Sequence, residues 1–139
     1  MNNKVLIGPS TFAALDSSPA DKLIDAGFEI VNNPFGRKLT VKELINLLPG
    51  INGIIAGLED LNRVVMEGSN LRVISRCGSG LSNVDLKAAE SLGIKVLSTP
   101  DGPTTSVAEL TVGLLLSMIR SLYKMNMSIC MICNLFIKL

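Results

Sequence analysis

Residues 71–97 read LRVISRCGSGLSNVDLKAAESLGIKVL, and this stretch contains the pattern that decides the fold. An apolar run leads into a glycine-rich stretch, a helix-like segment follows at 84–93, and a second apolar run begins at Ile94. A strand, a helix and another strand joined so closely are typical of a βαβ unit, whose two strands are parallel. The stretch therefore predicts part of an α/β domain.

The same alternation continues on both sides of this unit. Further predicted strands lie at 4–8, 28–33 and 53–57. Predicted helices lie at 18–28, 40–50 and 61–68, and a long helical pattern begins near Thr105. Because crossovers between parallel strands are right-handed, five such repeats predict an open parallel five-stranded sheet in the order 2-1-3-4-5. We expect α/β architecture with helices on both faces and a long C-terminal helix.

Composition excludes several classes of function. The 139 residues carry 13 basic and 12 acidic side chains, so the net charge of +1 gives no reason to expect nucleic acid or an anionic membrane as partner. Tryptophan is absent and aromatic residues make up 4%, which disfavours base stacking. Histidine is absent too, which excludes a Ser-His-Asp triad or a Cys-His pair. We expect no catalytic residue in this chain.

The three cysteines do not suggest a disulfide framework. Cys77, Cys130 and Cys133 are an odd number in an otherwise ordinary chain, and the short apolar run at the N-terminus ends at Gly8-Pro9 without forming a signal peptide. We therefore expect a cytoplasmic protein. A single CxxC at 130–133 lacks the two further ligands of a structural zinc site, so no metal is expected.

The glycine-rich loop allows more than one interpretation. Its GxGxxN pattern at 78–83, with Asp101 at the end of the next strand, is similar in length to a dinucleotide-binding unit. Asn83, however, replaces the third glycine, which close helix–strand packing requires. A plain glycine-rich turn at the end of a strand gives the same pattern. From the residues alone, both interpretations stay open.

A third interpretation rests on several sequence blocks in order. They are RCGSGLSNVD at 76–85, GIKV at 93–96, Thr99-Pro100 and VAELT at 107–111. In this order and spacing the blocks resemble the N-terminal substrate-binding segment of the D-isomer-specific 2-hydroxyacid dehydrogenases. The resemblance covers about residues 1–122, and it implies a flavodoxin-like domain that closes over a substrate. The intact enzymes would pass hydride between NAD and a small 2-hydroxy or 2-oxo acid such as 3-phosphoglycerate, and would form homodimers.

The resemblance also implies roles for particular residues. Gly78 and Gly80 would let the backbone approach substrate, Ser79 would lie near the cofactor as well, and Arg76 would pair with the substrate's acid group or only brace the loop. Ala56 and Gly57 would line the same site, although phosphoglycerate-specific members usually have a basic residue and a serine there. Two polar residues are expected to cap the following helix rather than to touch ligand. They are Asn83 and Asp85.

The resemblance finally implies how the chain is organised. Residues 1–104 would form the substrate domain, 105–122 the long helix leading toward a dinucleotide-binding domain, and 123–139 an atypical apolar tail. The chain stops about where the family crosses into that second domain, so we expect a fragment that binds no cofactor tightly and associates with itself through residues 110–137. The alternatives are a stand-alone flavodoxin-like module for a small anion or nucleotide, and a non-functional remnant.

Overall fold

The computed structural model describes residues 3–122 and 124. Five strands form one parallel sheet in the order β2-β1-β3-β4-β5, as predicted from the sequence. The strands are β1 Asn3–Ile7, β2 Phe28–Asn32, β3 Gly53–Ala56, β4 Val73–Arg76 and β5 Lys95–Leu97. In register, Leu6 of β1 lies between Val31 of β2 and Ile54 of β3, which places three apolar side chains in one row across the sheet.

The helices occupy the predicted connections but are shorter than the sequence pattern indicated. They are α1 Ser18–Asp25, α2 Val41–Leu47, α3 Arg63–Glu67, α4 Leu86–Ser91 and α5 Thr104–Ile119. The first helix ends early because Gly27 has a φ of 82°, a left-handed conformation that closes a helix and leads directly into β2.

The predicted start of α2 is confirmed in detail. The Thr40 hydroxyl accepts a hydrogen bond from the Glu43 backbone N–H at 3.3 Å, and the Thr40 N–H donates to the Glu43 carboxylate at 2.8 Å. This reciprocal pair is a capping box, and it satisfies two backbone donors that a helix N-terminus otherwise leaves unpaired. At the start of α1, Ser17 rather than Ser18 holds the N-cap position, and its hydroxyl bonds to the Asp21 side chain instead of a backbone N–H group.

All five strands are parallel, but the chain moves one way across the sheet from β1 to β2 and the opposite way from β2 to β3, which distributes the helices over both faces. Right-handed crossovers place α1 on one face and α2, α3 and α4 on the other. The core lies between the sheet and these three helices, and its fully buried members include Leu6, Leu44, Leu48, Ile54, Leu61 and Ile74. The strand order reverses between β1 and β3, and ligands in open α/β sheets bind beyond the strand ends at that point.

The chain divides into two compact units, one ending at Asp101 and the other beginning at Gly102. The second unit contains α5, the long helix that the sequence predicted. Cys130, Cys133 and the rest of the apolar tail at 125–139 lie outside the described residues. Among the residues that the structure describes, no helix is long and apolar enough to cross a membrane.

Candidate functional site

A cavity of about 320 Å³ opens at the carboxyl ends of the strands, where the strand order reverses. Its wall combines the last residue of β4 and residues that follow β1, β3 and β4 with two residues from the connection between β2 and α2. The lining residues are Gly8, Pro9, Ser10, Thr11, Arg37, Lys38, Gly57, Leu58, Glu59, Arg76 and Cys77. Three cations and one carboxylate are among them, so the cavity is suited to a small anionic ligand.

One side of the cavity is packed so closely that a side chain at either of two glycines would force a neighbour to shift. The Glu59 side chain is only 2% exposed, and its Oε2 accepts a hydrogen bond from the Gly57 N–H at 2.5 Å. A Cβ placed on Gly8 would lie 2.8 Å from this carboxylate, and one on Gly57 would lie 2.9 Å from the Pro9 ring. The two glycines therefore let the buried carboxylate contact the backbone that follows β1 and β3.

Arg76 braces the loop that follows β4. Its Nη1 donates a hydrogen bond to the carbonyl oxygen of Cys77, and a Cβ on Gly78 would lie 2.9 Å from the same nitrogen. Gly78 also has a φ of 139°, so glycine is required there by the backbone as well. The Arg76 Nε is buried and, within the described part of the chain, has no hydrogen-bond partner. An unsatisfied buried donor thus lies in the cavity wall.

The next residues of this loop leave backbone donors available. Within residues 3–122, the N–H groups of Ser79 and Gly80 donate to no protein acceptor, whereas that of Cys77 bonds to Ala56 and that of Gly78 to Arg76. A Cβ on Gly80 would meet nothing within 4 Å, and its φ is not in the left-handed region. The fold itself therefore does not require glycine at this position, and the free space suits a ligand that approaches the backbone.

The helix after this loop is not arranged to hold a dinucleotide. The Asp85 carboxylate caps α4 by accepting from the Ala88 N–H at 3.0 Å, as predicted. In a dinucleotide-binding unit the pyrophosphate occupies the helix N-terminus, where here a negative side chain already lies. This geometry disfavours the interpretation of GxGxxN as a dinucleotide loop.

Asn83 does not cap α4, so that expectation is wrong. Its side-chain amide donates to the carbonyl oxygens of Gly57 at 3.2 Å and Glu59 at 2.7 Å, while its backbone carbonyl accepts from the Leu61 N–H. Asn83 thus fastens the loop after β4 to the loop after β3. It holds in place the segment that carries Gly57 and Glu59.

The structure brings only part of the predicted substrate site together. Gly57 and Arg76 line the cavity, and Gly78, Ser79 and Gly80 follow on the adjoining loop without lining it. Ala56 is fully buried in the core, so its side chain does not reach the cavity.

Three charged lining residues were not among the predicted ones: Arg37, Lys38 and Glu59. The adjacent Arg-Lys pair after NPFG was the signal for two of them.

The described residues show no group of three or more side chains that could hold a metal ion. Cys77, the one cysteine within them, is free and exposed. The three cationic side chains of the cavity and the two available N–H groups of the adjoining loop are suited to binding and orienting an anion.

Fold and site define an open parallel α/β domain with a cavity lined by three cations and one carboxylate where the strand order reverses. The model of the catalytic domain of D-isomer specific 2-hydroxyacid dehydrogenases matches residues 11–136. This chain therefore belongs to the D-isomer specific 2-hydroxyacid dehydrogenase family.

Curated relatives agree with this assignment. D-3-phosphoglycerate dehydrogenase of Sus scrofa is 36% identical over 121 residues, which are 86% of this chain and 21% of the relative. Hydroxypyruvate reductase of Thermotoga maritima is 35% identical over 89 residues, which are 63% of this chain and 29% of the relative. The chain thus spans less than a third of the length of these relatives.

Solved structures share the fold. A protein from Thermus thermophilus superimposes with a TM-score of 0.75 at 31% identity, covering 87% of this chain and 38% of the other. The apo-structure of D-lactate dehydrogenase from Escherichia coli superimposes with a TM-score of 0.69 at 26% identity, covering 87% and 39%.

Proposed function

We propose that this chain forms the substrate-binding part of an NAD-dependent oxidoreductase that interconverts a D-2-hydroxy acid and its 2-oxo acid. The observation that carries the proposal is the cavity at the reversal of strand order, with Arg76 in its wall and two available backbone N–H groups on the adjoining loop. The similarity to phosphoglycerate dehydrogenases and hydroxypyruvate reductases supports a small 2-hydroxy acid as the ligand.

The chemical role of this chain is to bind and orient the acid. A guanidinium and successive N–H groups favour a carboxylate, because charge-assisted hydrogen bonds are shorter and stronger than neutral ones. NAD supplies hydride chemistry to the family, but the described residues do not form a cradle for a dinucleotide, since Asp85 already caps α4. Ser79 is proposed as the residue of this chain that lies near the cofactor. A homodimer of the whole enzyme in the cytoplasm is part of the same proposal.

The proposal is tested by titrating the 139-residue chain with D-lactate and measuring the amide chemical shifts of the chain in NMR spectra. We expect the largest shifts at Ser79 and Gly80, and we expect them to disappear in Arg76→Ala and in Gly80→Val while the variants stay folded. Arg63→Ala is the control, because it also removes an arginine side chain, but one that forms its ion pair with Glu67 away from the cavity.

The same chain should produce no NADH from D-2-hydroxy acids and NAD, because it has no histidine to act as acid and base. Steady NADH production that Arg76→Ala abolishes would contradict this. Binding of nucleotides at 78–80, with no response to D-lactate, would instead support a stand-alone nucleotide-binding module.

A further inference from the structure

The connection between β2 and α2 brings two cations to the cavity that the proposed binding of a carboxylate does not use. Arg37 and Lys38 line the wall together with Arg76. Glu59 is the acidic residue among the lining residues, so the lining alone carries a net charge of +2, from three cations and one anion. A carboxylate held at Arg76 would leave a net charge of +1 among the lining residues, and the two remaining cations contact carboxylates outside the lining, Glu43 and Asp60.

The connection is fastened to the end of β1 by one side chain. The amide of Asn33 donates to the carbonyl oxygen of Gly8 at 2.8 Å and to that of Arg37 at 2.7 Å, while its oxygen accepts from the Phe35 N–H at 2.9 Å. Because Gly8 itself lines the cavity, this bridge fixes the backbone of Arg37 against the cavity wall.

The guanidinium of Arg37 is held in a defined position. It forms two parallel hydrogen bonds to the Glu43 carboxylate, at 2.7 and 3.0 Å, and a third to the carbonyl oxygen of Lys38 at 3.0 Å. The hydrogen bonds to Glu43 raise the pKa of Arg37, so it stays charged. A guanidinium has five N–H groups. Two of them remain for a ligand among the described contacts, and little side-chain freedom is left to lose on binding.

Lys38 is held more loosely. Its ammonium group contacts Asp60 at 2.9 Å, and the two side chains are 47% and 58% exposed. An exposed pair of this kind is weak, so the ammonium group is available to move toward an anion in the cavity.

From these contacts we propose that Arg37 and Lys38 form a subsite for a second anionic group of the ligand. The inference rests on the proposed function, in which Arg76 and the 79–80 backbone bind the first carboxylate. It narrows the substrate class to 2-hydroxy acids with a phosphate or a second carboxylate at the far end. A cavity of about 320 Å³ is at the small end of ligand sites, which run from about 300 to 1,000 Å³, and suits an acid of this size.

The test measures binding of three acids to the 139-residue chain by calorimetry. D-lactate has one anionic group, D-malate has a second carboxylate and D-3-phosphoglycerate has a phosphate. We expect at least one of the two larger acids to bind about tenfold more tightly than D-lactate, as a charge-assisted hydrogen bond implies. Whichever acid has the advantage identifies the anionic group that the subsite prefers.

Variants then locate the subsite. Lys38→Gln and Arg37→Gln should each remove most of this advantage, and should weaken binding of D-lactate, which has no second anionic group, far less. Because Arg37 also pairs with Glu43 at the start of α2, Arg37→Gln could destabilise the fold. In that case the affinities of Lys38→Gln alone decide whether the subsite exists. Arg63→Gln is the matched control, because Arg63 is 52% exposed, close to the 55% of Arg37, and forms a similar ion pair with Glu67.

The outcomes separate the two proposals. Equal affinity for all three acids, or an advantage that survives Lys38→Gln and Arg37→Gln, overturns the subsite and leaves the proposed function standing. If D-lactate does not bind but inorganic phosphate binds and depends on Lys38, the anion subsite is supported and the proposed function fails.

Discussion

Gly57 and Gly80 are glycines for different physical reasons. At Gly57 a Cβ would lie 2.9 Å from the rigid Pro9 ring and 3.3 Å from Glu59 Oε2, so any side chain there would force these neighbours to shift. At Gly80 nothing lies within 4 Å. The first glycine is needed for the fold of the cavity wall, and the second is needed only if a ligand approaches.

This difference predicts that replacement by alanine changes the free energy of unfolding at Gly57 much more than at Gly80. Gly57→Ala should lower the free energy of unfolding by about 1–3 kcal/mol, because an overpacked site must shift its neighbours. Gly80→Ala should change it by less than about 0.5 kcal/mol, as is usual at an unconstrained surface position. Urea unfolding of both variants beside the parent chain measures this. Equal stability of the two variants would show that the Pro9–Glu59 wall yields without cost.

Residues of the site were predictable where their partners are close in sequence. The cap formed by Asp85 involves Ala88, three residues away, and the sequence pattern identified it. Asn83 was misjudged because its partners lie 24 and 26 residues away, across the space between two loops. Arg37 and Lys38 were missed for the same reason, since only the folded sheet brings the β2–α2 connection beside the ends of β3 and β4.

At the level of elements, the alternation of apolar runs and helical segments was enough to predict the order of the strands. It was not enough to predict the residues at which the helices begin and end. The start of α2 was identifiable because Thr40 and Glu43 stand at capping-box spacing. The start of α1 was not, because two serines precede Pro19 and the structure uses Ser17 at the N-cap, without a side-chain cap. Local hydrogen-bonding choices of this kind are nearly equal in energy, and tertiary contacts decide them.

The start of α2 should make stability depend on pH. Hydrogen bonds from Arg37 first, and then from the Thr40 backbone, lower the pKa of Glu43 from 4.5 to about 2. A carboxyl whose pKa is lower in the folded state stabilises the fold fully above its unfolded pKa, and this contribution is lost as the pH falls through the folded pKa. The contribution of Glu43 should therefore be complete above about pH 5 and disappear between about pH 4.5 and 2.

Glu43→Gln tests this in urea unfolding at a series of pH values. The parent chain should be more stable than the variant at pH 6, and the gap between their midpoints should narrow steadily below about pH 4.5. A gap that stays constant down to pH 2.5 would mean that ionisation of Glu43 adds nothing to stability, through either the Arg37 ion pair or the Thr40 hydrogen bond.

At the level of the whole molecule, α5 is unlike the other helices. Its stripe of Leu110, Leu114 and Met118 lies at helical spacing, but Leu115 and Ile119 lie off that stripe and are apolar as well. A helix that is apolar on most sides is stable only when something covers it. We predict that a second copy of this chain covers it, so that residues 110–137 cause self-association, although most of the stretch after Leu122 lies outside the described residues.

Light scattering of the 139-residue chain at high micromolar concentration measures this. We expect dimers or larger species, fewer of them when residues 121–139 are deleted, and fewer still when Leu115 and Ile119 are also replaced by glutamate, because charge on an apolar contact is costly to bury. Lys22→Glu and Lys95→Glu are the controls, because they introduce glutamate outside α5. Each changes the net charge by twice as much as Leu115→Glu or Ile119→Glu, yet the association should stay unaltered. A monomer at every concentration would contradict the prediction and show that the apolar sides of α5 are covered within one chain.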